Sequence, residues 1–165
     1  MKLTEGKDPT TIPGLTDASL LKIGSEIGYD LKYWESSNHF TAWIGLAPKK
    51  NSSGKMKKNK KVKGNDYVSQ VFKEAAQSVG KMKNDPLGIF YRRIKASRGA
   101  LIAVKATARK IAVLFYSIMS STIEKYINPG VEEYSKKMAE GQIKYLRKKA
   151  QALGMQLVDT KPQFG

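Results

Sequence analysis

Two adjacent hydroxyls, Ser52 and Ser53, stand near the head of a run in which lysine is the commonest residue. Eight of the fifteen residues from Lys49 to Lys63 are lysine, and none is acidic. This combination suits phosphodiester chemistry. An alcohol that attacks phosphorus must lose its proton, and the five-coordinate transition state needs its charge stabilised. Lys49, Lys50, Lys55, Lys57 and Lys58 supply cations for the second task, and Gly54 lets backbone approach a phosphate closely. Lys60, Lys61 and Lys63 extend the positive field along a polyanion. The same composition also suits a solvated linker, because Ser-Ser-Gly-Lys is ordinary loop composition. On either reading the run is excluded from a core, since each buried ammonium would need a partner and none is available locally.

Other chemistries find less material. No Gly-rich phosphate loop of the Walker or dinucleotide type is present. Between Glu35 and Glu124 the only acidic residues are Asp66, Glu74 and Asp85, too few for the convergent carboxylates of a two-metal nuclease. His39 is the single histidine and there is no cysteine, so zinc has no ligand set and a disulfide scaffold is excluded. No metal site is expected in this chain. A lone histidine near a helix start reads as a structural residue before a ligand or base.

The charge balance points the same way as the lysine run. Thirty Lys and Arg face 14 Asp and Glu, a formal net charge of +16. That excess favours a nucleic-acid partner over an acidic protein or a membrane surface. It is also concentrated. From Pro13 to Pro48 acids outnumber bases four to two, whereas Lys49 to Lys63 carries eight positive charges. Arg92, Arg93 and Arg98, with Lys95 between them, form a second positive patch. The first residues lack an apolar signal segment, and no run approaches the roughly 18 apolar residues of a membrane helix, so a cytoplasmic protein with no membrane partner is expected.

The elements that must position these groups read as helices. At 165 residues with 41% hydrophobic content, the chain supports one ordinary domain. Residues 1–11 read as a flexible lead, 12–127 as the helical domain with a basic loop at 48–64, and 128–165 as a C-terminal helical extension. Ile12-Pro13-Gly14-Leu15 spells a tight turn, and Thr16 is the expected cap of a helix through Ile27, with Ala18, Leu21 and Ile27 on its buried face. A turn of this kind before a short helix resembles half of a helix-hairpin-helix, whose backbone at Pro13 and Gly14 would meet a DNA phosphate. Asn38 is expected to cap a short helix over His39 to Leu46, with Trp43 buried against the helix that begins near Asn65. Val68, Val71, Phe72, Ala75, Ala76 and Val79 recur at helical spacing after Asn65. Asp85-Pro86 starts another helix, with Leu87, Phe90, Tyr91 and Ile94 inward. The apolar stretch from Leu101 to Met119 is expected to be the central helix, stopped by Asn128-Pro129-Gly130, and a sparser helical pattern runs from Val131 to Leu153. Nothing alternates with period two for long enough to argue a sheet. The fold class is mostly α, a compact multi-helix domain.

Several of these pieces recur in a known order. Ile12-Pro-Gly14, Ser25-Glu-Ile-Gly28, Ala42-Trp-Ile-Gly-Leu-Ala-Pro48, Ser52-Ser-Gly-Lys55, Lys63-Gly-Asn65, Asn84-Asp-Pro86 with Tyr91, and Ala106 to Tyr116 with Ala108-Arg-Lys110 follow one another here. In order and spacing this set resembles the carboxy-terminal domain of IS110/IS116/IS902-type transposases, over roughly residues 10 to 120. The resemblance implies that Ser52, which opens the Ser-x-Gly pattern, is a recombinase nucleophile. Ser53 stands where the family usually has glycine or alanine, and the segment between Pro48 and Ser52 looks a residue short, so Ser53 is the reserve. The family's other half is a RuvC-like amino-terminal domain with an Asp-Glu-Asp-Asp cluster, absent from this sequence. The chain thus looks like a fragment, a split product or an excised domain. The resemblance implies no cofactor in the chain itself, Mg²⁺ in the partner domain, DNA and a guide RNA as partners, and leaves self-association open.

Two functions from different classes follow. One is the DNA-binding, nucleophile-bearing half of a serine-using transposase, inactive alone. The other is a nonenzymatic nucleic-acid-binding module that kept the fold and the charge. Covalent capture of a cleaved strand on Ser52 separates them; salt-sensitive binding does not, because both predict it. A basic helical domain that only assembles with other proteins is a third reading, exposed by filter binding at physiological salt.

Overall fold

The computed structural model describes residues 6–48, 65–120 and 124–158. Among these residues six α-helices follow one another: α1 Asp17–Ile27, α2 Ser37–Trp43, α3 Asp66–Gly80, α4 Pro86–Arg98, α5 Ala100–Ser120 and α6 Gly130–Ala152. Among the described residues the only β pairing is an isolated bridge between Asp8 and Lys125, so the fold is mostly α. By internal contact the chain divides into two compact units, residues 1–128 and 129–165.

Polar caps fix where the helices of the first unit begin. Thr16 accepts from the Ser19 amide, Asn65 from Val68, and Asp85 from both Leu87 and Gly88. Pro86 occupies the first turn of α4, where its missing N–H costs nothing. α2 starts two residues earlier than the spacing suggests, because Ser36 rather than Asn38 caps it through the His39 amide. Phe40 and Ile44, one turn apart, enter the core together, and Trp43 is left 38% exposed.

The core of the first unit is built on three phenylalanines from three helices. Phe40 of α2, Phe72 of α3 and Phe115 of α5 are all at most 1% exposed, with ring centroids 5.6 to 6.3 Å apart. Around them α3 buries Val68, Val71, Phe72, Ala75, Ala76 and Val79, the full stripe its periodicity predicts. α5 packs against α2, α3 and α4 and is the central helix, as its composition suggests. It presents Ala103, Ala108 and Ala112 beside Ile111, Phe115 and Ile118, the small residues letting neighbours approach closely. α1 docks on α3 through Leu20 and Ile23. The expected face of Ala18 and Leu21 points to water instead, Leu21 being 54% exposed, while Ile27 is partly buried as expected.

Two connections deviate from the sequence reading. Residues 6–11, read as the end of a flexible lead, carry a 3-10 turn over Pro9–Thr11 with Pro9 buried. They bond to the segment after α5: the Asp8 amide donates to Glu124 O at 2.7 Å, the Tyr126 amide to Thr11 Oγ1 at 2.8 Å, and Lys7 Nζ to Met119 O at 2.6 Å. Residues 124–126 therefore lie outside any helix, where the sequence reading carries the central helix on to the stop at Asn128. Asn128 is used differently. Its side-chain amide donates to Asp85 Oδ2 at 2.8 Å, so buried Asp85 caps α4 with one oxygen and holds Asn128 with the other. The second unit contains α6, which has Glu132 and Glu133 in its first turn and Lys149 in its last, the arrangement that complements a helix dipole.

Candidate nucleic-acid interface

The segments that flank the lysine-rich run, up to Pro48 and from Asn65, pack with their helices. On the upstream side α2 ends at Trp43, and Gly45 takes φ +74° so that the Leu46 and Ala47 amides can both reach Thr41 O. Leu46 is buried and Pro48 is exposed. On the downstream side Asn65 caps α3, and its Nδ2 donates to Glu26 Oε2 of α1 at 3.3 Å. Both anchoring helices share the phenylalanine core. Ser52, Ser53, Gly54 and the lysines at 49, 50, 55, 57, 58, 60, 61 and 63 lie outside the described residues.

Pro13 and Gly14 form a tight turn, closed by the Leu15 amide donating to Ile12 O at 3.1 Å. Gly14 has φ +88°, as the third residue of a type II turn requires. A Cβ there would lie 2.6 Å from Ala75 O and 2.8 Å from Val79 Cγ2. Glycine at this position therefore lets the turn rest on α3. A three-residue 3-10 turn precedes it and α1 follows, so only one full helix flanks the turn.

The three arginines of α4 have different surroundings. Arg92 is partly buried and directs its guanidinium back to the end of α3 and the turn after it. It donates to Met82 O at 2.7 Å, Lys83 O at 2.9 Å and Gly80 O at 3.5 Å. Arg93 and Arg98 are exposed. Arg93 stands 5.5 Å from the Phe90 ring centroid, and Lys110 of α5 reaches the same ring at 4.6 Å. Burial, and next the like charge of Arg93, lower the Lys110 pKa from its ordinary value. Lys110 joins the positive surface of α4 from another helix, and no local signal announces it beyond its place in Ala108-Arg-Lys110. Arg109 reaches Asn38 Oδ1 of α2 at 2.9 Å.

His39 is exposed and pairs with Glu35, Nδ1 to Oε2 at 3.6 Å across one helical turn. Beside it lies an aromatic cluster. Trp34 is buried at 9% exposure, with Phe40, Trp43 and Tyr33 ring centroids 5.2, 5.2 and 5.5 Å away. Of the two tryptophans it is Trp34, rather than Trp43, that the core takes. The phenol of Tyr116 donates to the Trp34 carbonyl and Phe40 packs on the ring, contacts a local pattern does not reveal.

Four of the described carboxylates of the first unit have partners within it. Asp8 and Asp85 cap helical turns, Glu35 faces His39 and Glu26 accepts from Asn65. Among the described residues no group of three or more His, Cys, Asp or Glu lies together. No described helix is long and apolar enough to cross a membrane.

Residues 10–92, just over half of the chain, match the family described as Transposase IS116/IS110/IS902 family. The chain belongs to that transposase family. The match runs from the 3-10 turn through α1, α2, the lysine-rich run and α3 to the middle of α4, ending before the Ala106–Tyr116 segment of α5. No curated protein and no solved structure matches the chain.

Proposed function

We propose that this chain is the DNA-binding, nucleophile-bearing part of a serine-using transposase, with Ser52 as the attacking residue and Ser53 in reserve. The observation that carries the reading is the family match, which spans Ser52 to Lys55 together with the lysines on both sides. In the proposed step a bond forms between Ser52 Oγ and a backbone phosphorus while one P–O bond of the strand breaks. The hydroxyl proton ends on the departing strand's oxygen. The lysine run, with Arg93 and Arg98, holds the phosphates, and Arg92 braces the turn between α3 and α4. The Mg²⁺ that the family resemblance implies is assigned to a separate RuvC-like domain, acting with a guide RNA.

A nonenzymatic nucleic-acid-binding module is the second reading, favoured by the absence of a base beside the proposed nucleophile in sequence. His39, the one histidine, already faces Glu35. The test is a complex of the full chain with the family's RuvC-like domain, guide RNA and matching DNA, assayed for a phosphoserine link. The chain alone is expected to bind DNA without cutting it. Ser52→Ala should abolish the link in the complex and leave binding within about threefold, since one neutral hydroxyl adds little to a field of lysines. Loss of the link in Ser53→Ala instead moves the nucleophile by one residue. A link that survives both changes removes the serine assignment, and a complex that never cleaves favours the binding module.

A further inference from the structure

Between Tyr29 and Pro48 the surface has an unusual composition. Every aliphatic anchor of the segment is inside: Leu31, Ile44 and Leu46 are at most 1% exposed. The large apolar side chains left in water are aromatic, Tyr33 at 85% and Trp43 at 38%. Both lean on Trp34, Tyr33 edge-on at 84° and Trp43 tilted at 57°. Trp34 is itself fixed, buried against Phe40 and tied through its carbonyl to Tyr116. The exposed rings therefore stand on a rigid base. An exposed tryptophan and tyrosine pair on such a base is the kind of surface that either anchors a protein or stacks on flat rings, and the net charge of the chain favours the second. Nucleobases are flat, and a chain of net charge +16 attracts the phosphates that carry them.

We propose that Tyr33 and Trp43, supported by Trp34, form a stacking platform for unpaired bases of a single-stranded nucleic acid. Stacking needs an open base face, so a closed duplex cannot use the platform, whereas every unpaired base can regardless of identity. This inference rests on the nucleic-acid-binding reading above and narrows its ligand to strands with unpaired bases.

The experiment uses the full chain, a short oligothymidylate and a duplex of the same length, at one fixed salt concentration. The oligothymidylate should quench the tryptophan emission of the wild type. In Trp43→Phe, where only buried Trp34 remains, quenching should largely disappear while affinity is mostly kept, because phenylalanine still stacks. Tyr33→Ala with Trp43→Ala should weaken single-strand binding by about tenfold or more and change duplex binding by less than about twofold. Equal losses on both substrates, or no loss on either, overturn the platform while duplex binding by the wild type leaves the parent reading standing. Self-association abolished by the double change, with single-strand affinity intact, would make the face a protein contact instead. A wild type that binds neither substrate overturns the platform and the parent reading together.

Discussion

Glycine at position 14 serves two physical purposes at once, and a comparison separates them. Its φ of +88° disfavours any side chain, and its Cα rests so close to α3 that a Cβ would overlap the Ala75 carbonyl. Gly45 shares the first constraint, φ +74°, but nothing lies within 4 Å of where its Cβ would go. Gly45→Ala is therefore expected to cost about 1 kcal/mol, the conformational term alone. Gly14→Ala should cost about 3 kcal/mol, because displacing α3 backbone adds an overpacking penalty. Urea midpoints of the two variants check this, and equal losses would mean that α3 gives way freely. The Pro-Gly turn at this site was legible from residue types. Its contact with α3 was not, since Ala75 and Val79 lie some sixty residues further along the chain.

At the scale of elements, what the sequence conveyed depended on how local the deciding interaction is. α3 was legible in full, cap and stripe, because fifteen residues repeat one face without ambiguity. α1 was legible in its ends but not its face: Leu20 and Leu21 are adjacent, and only docking on α3 selects Leu20. The tryptophans exchanged roles for a similar reason, Trp34 being chosen by Tyr116 and Phe40 from elsewhere in the fold. Arg92 was legible as a charge and not as a brace. Its carbonyl partners lie nine to twelve residues upstream, across the α3–α4 turn. Arg92→Ala is expected to destabilise the protein by about 2 kcal/mol, as a charged donor serving several acceptors is lost, while leaving the salt dependence of DNA binding unchanged. A changed slope with unchanged stability would return Arg92 to the phosphate-contacting set. The α4–α5 pair also carries a pH signature. Burial and the charge of Arg93 lower the folded-state pKa of Lys110, although the Phe90 face favours its charged form. Between that lowered value and the unfolded value near 10.5, the unfolded chain binds more protons, so this lysine's contribution to stability rises with pH. Wild type should thus gain stability relative to Lys110→Met as pH climbs through the alkaline range toward 10.5. Urea midpoints of both proteins at several pH values read the difference, and a gap that stays constant contradicts it.

For the whole molecule, the distribution of charge was legible and its arrangement in space only partly so. Eight lysines within fifteen residues are the composition expected of a polyanion contact, a reading that needs no knowledge of the fold. The fold adds where the run is attached: it leaves α2 and rejoins at the cap of α3, two helices locked together through Phe40 and Phe72. The α4 surface, with Arg93 and Arg98 exposed, is a second positive region of the sequence. The two regions make distinct claims on phosphates, and counterion release distinguishes them. Each phosphate neutralised on a duplex contributes about 0.9 to the slope of log affinity against log salt. Replacing Lys57, Lys58, Lys60 and Lys61 together by Ala should flatten that slope by up to about 4 and weaken binding to all sequences alike. Replacing Arg93 and Arg98 by Ala should flatten it by at most about 2. Both variants keep every residue of the phenylalanine core, so thermal midpoints near that of the wild type serve as the control for folding. A slope that responds to the arginines and ignores the lysines would move the phosphate track to α4, and it would leave Ser52 without the cations that its proposed attack requires.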